Sequence, residues 1–196
     1  MIDIIDLKMH RNLLMHLFTC IDNTSLNATD NDTTITEFCK KTLNYAQKLP
    51  ENKNVAAVCV YPNHVLLVKH LLGNKNISVA SVAGSFPFSQ SPLVCKVKEI
   101  QYVIDNGVDE VDIVLPLGLF FDKAYKEVFN EISTIREVVI NKILKVILET
   151  GELKTEHNIA TAAQIALDAG ADFIKTSTGK SAVSATPEAA KIMLRV

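Results

Sequence analysis

The sequence predicts an α/β fold assembled from repeated βα units, and three features carry that prediction. Short apolar or β-branched runs alternate with longer segments of helical spacing. Most of the runs close on Gly or Pro, as strands that end in tight turns do. Charged residues also sit inside several of the strands, at positions that share one face.

Taken in order, a helix is expected near Leu7 to Leu17, then a short first strand around Leu17 to Ile21 leading into Asp22-Asn-Thr-Ser-Leu26. A polar loop and a helix near Thr34 to Lys48 follow. Strand two is Val55 to Tyr61, closed by Pro62 and followed by a helix to about Leu72; strand three is Ile77 to Val82, closed by Gly84 and Pro87. Strand four is Glu110 to Leu115 before Pro116, strand five Ile143 to Glu149 before Gly151, and strand six Asp172 to Thr176 before Gly179. The helices before strands four and six end at Asn106-Gly107 and Ala169-Gly170, where a residue without a Cβ takes the left-handed C-cap at little cost. No Gly/Ser-rich linker or low-complexity stretch interrupts the chain, so residues 1–196 are expected to form one domain.

Six such units fit either an open doubly wound sheet or most of a (β/α)8 barrel, whose usual length is roughly 250 residues. The length of 196 residues favours the open sheet. Two features favour the barrel: the turn after strand one has no G-x-G-x-x-G, and polar residues recur where a lumen would need them. Parallel strands are buried on both faces and normally read as unbroken apolar runs, so an internal charge requires a reason. Alternation places Lys145, Ile147 and Glu149 on one face of strand five, and Phe173, Lys175 and Ser177 together on strand six. Asp112 goes with Val114 on strand four, and Cys59 with Ala57 and Tyr61 on strand two. A structural ion-pair network would explain one such pair. Several converging charges favour catalysis, because an amine beside a second cation in a low-dielectric site is a route to a nucleophilic lysine.

Composition narrows the partners. With 48% hydrophobic and 21% charged residues and a formal net charge of −2, the chain reads as globular, without the basic stripe of a nucleic-acid binder. Cys20, Cys39, Cys59 and Cys95 stand far apart, with no C-x-x-C pair and no His cluster at zinc spacing, so reduced thiols and no metal are expected. No apolar run reaches membrane-spanning length, and Asp3, Asp6 and Lys8 interrupt any secretory core. The expected location is the cytoplasm and the expected partner a small molecule.

The string Gly170-Ala-Asp-Phe-Ile-Lys-Thr-Ser-Thr-Gly-Lys180, followed by Ala185-Thr-Pro-Glu188, resembles the Schiff-base motif of deoxyribose-phosphate aldolases. Lys145 to Leu153, Asp109 to Val114, Val58 to Pro62 and Asp22 to Leu26 resemble further signatures of that family, in the family's order. The resemblance implies a (β/α)8 barrel that needs no cofactor, takes a phosphosugar and reversibly cleaves 2-deoxyribose 5-phosphate to glyceraldehyde 3-phosphate and acetaldehyde. Carried over by position, it implies that Lys175 is the amine that forms the Schiff base and Asp112 the proton-transfer carboxylate. Lys145 would be the lumen cation that disfavours protonation of Lys175, with Glu149 partly balancing its charge. Asp22, Thr24, Cys59 and Glu149 would lie near the substrate, although Cys59 is equally readable as a small buried hydrophobe. Thr178, Gly179 and Lys180 would help to hold the phosphate. A homodimer is a fair expectation for such a barrel.

Two departures stand out. The family's third-strand loop, close to Gly-Phe-Pro-x-Gly, reads Gly84-Ser-Phe-Pro-Phe-Ser89 here, which predicts a loop of different shape over the pocket. The family pattern also continues with two further βα units, bearing a Gly-Phe-Lys-Pro motif and a Gly/Ser-rich phosphate loop, that these 196 residues do not contain. The expectation is therefore about the first six units of an eight-unit barrel, truncated at the C-terminus. Alternatives are a catalytically silent paralogue that binds a phosphosugar or a partner chain and, further off, another Schiff-base aldolase of transaldolase type.

Overall fold

The computed structural model describes residues 4–49 and 53–196, which fall into two compact units, Met1–Ala80 and Ser81–Val196. The first contains α1 (Ile4–Phe18), β1 (Asp22–Thr24), α2 (Asp32–Gln47), β2 (Ala57–Val60), a 3-10 turn at Pro62–His64 and α3 (Val65–Leu72). Strand β3 (Ser78–Val82) carries the boundary between the units. The second unit continues with α4 (Leu93–Asp105), β4 (Glu110–Val114), α5 (Leu117–Phe121) and α6 (Tyr125–Val138). After these come β5 (Ile143–Ile147), α7 (Thr150–Leu153), α8 (Glu156–Asp168), β6 (Phe173–Lys175) and α9 (Pro187–Met193). Strands run in chain order within each unit, and the registered pairs are parallel, as the alternating βα pattern requires.

In the first unit β1 pairs with β2, placing Asp22 opposite Ala57 and Thr24 opposite Cys59. The start of α2 is closed by Asn31, whose Oδ1 accepts from the N–H groups of Thr33 (3.0 Å) and Thr34 (3.2 Å). Thr34 Oγ1 accepts in return from Asn31 N–H at 2.9 Å, so three N–H groups at the helix start are satisfied, those of Asn31 and Thr34 reciprocally. Ile35 and Cys39 of α2 and Val65 and Val68 of α3 are fully buried, as is all of β2. The first strand lies later than the sequence suggests. Helix α1 runs to Phe18 and a turn closes it, with Cys20 N–H bonded to Leu17 O and Ile21 N–H to Phe18 O; Ile21 O is the first group to face the second strand, accepting from Ala56 N–H at 2.9 Å. Leu17, Phe18 and Ile21 are spaced as well for a helix face as for a strand, and only pairing with β2 picks out Asp22–Thr24.

In the second unit β4 and β5 are registered from Glu110 opposite Ile143 to Val114 opposite Ile147, and Ile147 stands opposite Lys175 of β6. Pairing extends past the strand ends through Leu148 N–H to Lys175 O (2.9 Å) and Thr150 N–H to Thr176 O (2.8 Å). The β6 register is fixed from below. Asp172 Oδ2 accepts from the Leu144 N–H and from the Arg136 guanidinium, both at 2.8 Å. Arg136 in turn lies over Gly170, whose φ of 96° suits glycine and where a Cβ would meet Arg136 Cγ at 2.9 Å. The Gly84 to Ser89 loop is tied to helices: Ser85 N–H bonds Glu99 (2.7 Å), and buried Lys96 bonds both Ser89 (2.8 Å) and Glu131 (2.6 Å). Strand five stops at Ile147, two residues before the expected Glu149, because Glu149 turns into the left-handed region with φ 56°.

Candidate active site

Alternation along β4 puts Glu110 and Asp112 on one face, and register brings Lys145 of β5 opposite Asp112. The side chains form a row of alternating charge. Lys145 Nζ pairs with Glu110 and lies 3.6 Å from Asp112 Oδ1, while Asp112 Oδ2 accepts from Lys175 Nζ. Asp112 is wholly buried and Lys145 only 6% exposed, whereas Lys175, on the three-residue strand β6, is 29% exposed. Burying so much charge is tolerable because each ion has an opposite neighbour. Exposure separates the two lysines: a carbonyl compound arriving from solvent can reach Lys175, while Lys145 lies beneath it against two carboxylates.

Glu110 is the member of this row that the sequence reading did not single out. Its signal was present, since Glu110 and Asp112 are two residues apart on an all-buried strand. Glu149 was expected to balance Lys145. Its carboxylate instead accepts from Thr178 N–H (3.2 Å to Oε2), Thr178 Oγ1 and Ser181 Oγ (2.9 Å), while Glu110 and Asp112 flank Lys145. Thr178 is therefore buried and committed to Glu149, whereas Gly179 and Lys180 are exposed beside it, with Lys180 N–H donating to Thr178 Oγ1 at 3.0 Å.

Asp22, Thr24 and Cys59 belong to the first unit. Asp22 is half-buried, and its carbonyl accepts from Thr24 Oγ1 at 2.9 Å; Thr24 is exposed and Cys59 buried. The loop that follows is organised by Asp30, which accepts from Ser25 Oγ (2.8 Å) and Asn27 N–H (2.9 Å). Burial acts to raise its pKa, but these hydrogen bonds outweigh burial and hold it below the usual carboxylate value. Among the described residues, no cluster of three or more His, Cys, Asp and Glu side chains is placed to hold a metal ion. No described helix is long and apolar enough to cross a membrane.

Comparison with known proteins gives a consistent result. Residues 17–196 match the profile described as DeoC/LacD family aldolase. A Caenorhabditis elegans protein named provisionally as a deoxyribose-phosphate aldolase is 38% identical over 175 residues, which are 88% of this chain and 57% of that protein. The chain thus spans little more than half the length of this relative. Among solved structures, a provisionally named deoxyribose-phosphate aldolase from Coccidioides immitis superposes with a TM-score of 0.83 at 30% identity, over 91% of this chain and 67% of that one. A structure titled "QR15, an Aldolase" gives 0.82 at 34% identity, over 91% of this chain and 75% of that one. The fold class is accordingly that of a partial (β/α)8 barrel with six parallel strands, matching deoxyribose-phosphate aldolase structures.

Proposed function

The chain belongs to the DeoC/LacD aldolase family, and from that premise we propose that it is a single-domain class I aldolase acting on 2-deoxyribose 5-phosphate, with Lys175 as the Schiff-base amine. The observation that carries this reading is Lys175 itself: a part-exposed amine on a strand, with its Nζ against the wholly buried carboxylate of Asp112. Asp112 takes up the proton that the amine sheds as it attacks the aldehyde carbon and returns it to the carbinolamine hydroxyl, which leaves as water to give the iminium and a free Asp112 carboxylate. The iminium then accepts the electron pair of the breaking C2–C3 bond as an enamine, while Asp112, through a water, removes the C3 hydroxyl proton. Glyceraldehyde 3-phosphate leaves, the enamine is reprotonated, and hydrolysis frees acetaldehyde. Lys145 contributes a fixed positive charge that favours the neutral amine at Lys175. Gly179 and Lys180 supply a backbone N–H and an ammonium to the phosphate. The reaction is assigned to deoxyribonucleoside breakdown in the cytoplasm.

Cyanoborohydride with acetaldehyde tests the reading directly. Intact mass and peptide mapping are expected to place a two-carbon adduct on Lys175. A folded chain left unmodified at Lys175 sinks the mechanism and favours a silent, phosphosugar-binding paralogue.

A further inference from the structure

Glu149 is buried, 4% exposed, and sits in a left-handed conformation that side chains other than glycine seldom adopt. All the hydrogen bonds shown to its carboxylate come from the loop that follows Lys175: Thr178 N–H at 3.2 Å, Thr178 Oγ1, and Ser181 Oγ at 2.9 Å. A carboxylate is acceptor-only, so each partner must donate. With its proton given to Glu149, Thr178 Oγ1 offers a lone pair, and Lys180 N–H takes it at 3.0 Å. The bond direction is therefore set along the loop, from Lys180 through Thr178 to Glu149. The neighbours of Glu149 grip the same loop. Thr150 N–H bonds Thr176 O at 2.8 Å, and a Cβ on Gly151 would lie 2.3 Å from Val183 O. Gly179, between the two anchored residues, has φ 74° and open space where a Cβ would be.

We propose that Glu149 is a positioning residue: it fixes the loop after β6 so that Gly179 N–H and Lys180 meet an anionic group on the substrate, and it thereby sets the preference for phosphorylated over unphosphorylated aldehydes. The inference rests on the aldolase reading for its substrate, though not for the anchor itself. Glu149→Gln keeps the shape but puts an NH2 where only acceptors fit, and Ser181→Ala removes one donor while leaving the others.

Two measurements on the full chain decide it. Cyanoborohydride labelling of Lys175 is timed with 2-deoxyribose 5-phosphate, 2-deoxyribose and acetaldehyde, and hydrogen exchange is followed over residues 176–184. In E149Q the ratio of phosphorylated to unphosphorylated sugar labelling is expected to fall about tenfold, the scale of one charge-assisted hydrogen bond. Acetaldehyde labelling is expected to fall by less, and exchange at Thr178 and Lys180 to accelerate; S181A shows the same changes, smaller. An unchanged ratio, or a parallel fall for all three aldehydes, overturns the assigned preference. Unchanged exchange in both variants overturns the anchor. Wild-type chain labelled by no aldehyde overturns the aldolase reading and the preference with it, and exchange then decides the anchor alone.

Discussion

The Asp112 carboxylate, fully buried on β4, accepts a hydrogen bond from Lys175 Nζ on β6, two strands away and 63 positions later in the chain. Its other oxygen faces Lys145 at 3.6 Å. One anion thus serves two cations, and removing it takes an opposite charge away from both.

Asp112→Ala is expected to lower the unfolding free energy by about 3–5 kcal/mol, as breaking a buried pair usually does. Adding Lys175→Met should recover part of that loss, because it removes the cation that Asp112 Oδ2 holds and leaves the Glu110–Lys145 pair intact. Urea unfolding checks both, and a single variant as stable as the wild type would show that the row of charges contributes little. In the milder Asp112→Asn variant, sugar cleavage is expected to fall by about 10²–10⁴-fold, the usual worth of a positioned acid–base group.

The two lysines are expected to separate in labelling. Lys175→Met abolishes the acetaldehyde adduct, whereas Lys145→Met keeps it on Lys175 at a reduced rate. Peptide mapping of the trapped protein reads both. An adduct on Lys145 in the wild type would reverse the assignment drawn from exposure.

Gly151→Ala is expected to destabilise the chain and loosen the loop after β6, because its Cβ would lie 2.3 Å from Val183 O and 2.9 Å from Val183 Cβ. The three nearest atoms all belong to Val183, two of them backbone, and backbone has little room to give way, so a cost of about 1–3 kcal/mol is reasonable for such overpacking. Thermal unfolding together with proteolysis near Val183 measures it. Unchanged stability and protection would mean that the loop shifts freely.

Thiol chemistry should divide the four cysteines. Cys20 and Cys95 are exposed and should react quickly with a disulfide reagent at pH 8, while Cys39 and Cys59 are buried and should react only on unfolding. Burial pushes the Cys39 thiol up from 9.0 to about 11. A raised thiol pKa means that the unfolded chain loses its proton first. The contribution of Cys39 is therefore complete below pH 9.0 and declines as pH rises through about 11. Cys39→Ala should flatten that alkaline loss in denaturant titrations between those pH values. An identical slope in the variant would assign the loss to other groups.

Much of the fold is legible in the chain because each βα unit is a local pattern. The run Glu110 to Val114 between Gly107 and Pro116 reads as a strand whatever surrounds it, and Lys145 and Lys175 are visible as charges inside such runs. Where local patterns are ambiguous the reading slips. Leu17, Phe18 and Ile21 fit a helix end as well as a strand, and Glu149 continues the alternation of β5 on paper while its backbone has already turned.

The sequence by itself determined the parallel α/β class, the strand positions of Asp112, Lys145 and Lys175, and the face each side chain takes, because alternation with period two follows from backbone geometry alone. Only the tertiary structure decided that Glu110 pairs with Lys145, that Lys175 is the lysine open to solvent, and that Glu149 holds Thr178 and Ser181. Those outcomes depend on strand register and on where a strand ends. Register and strand ends are set by packing and by hydrogen bonds between residues far apart in the chain, such as Asp172 with Leu144 and Glu149 with Thr178.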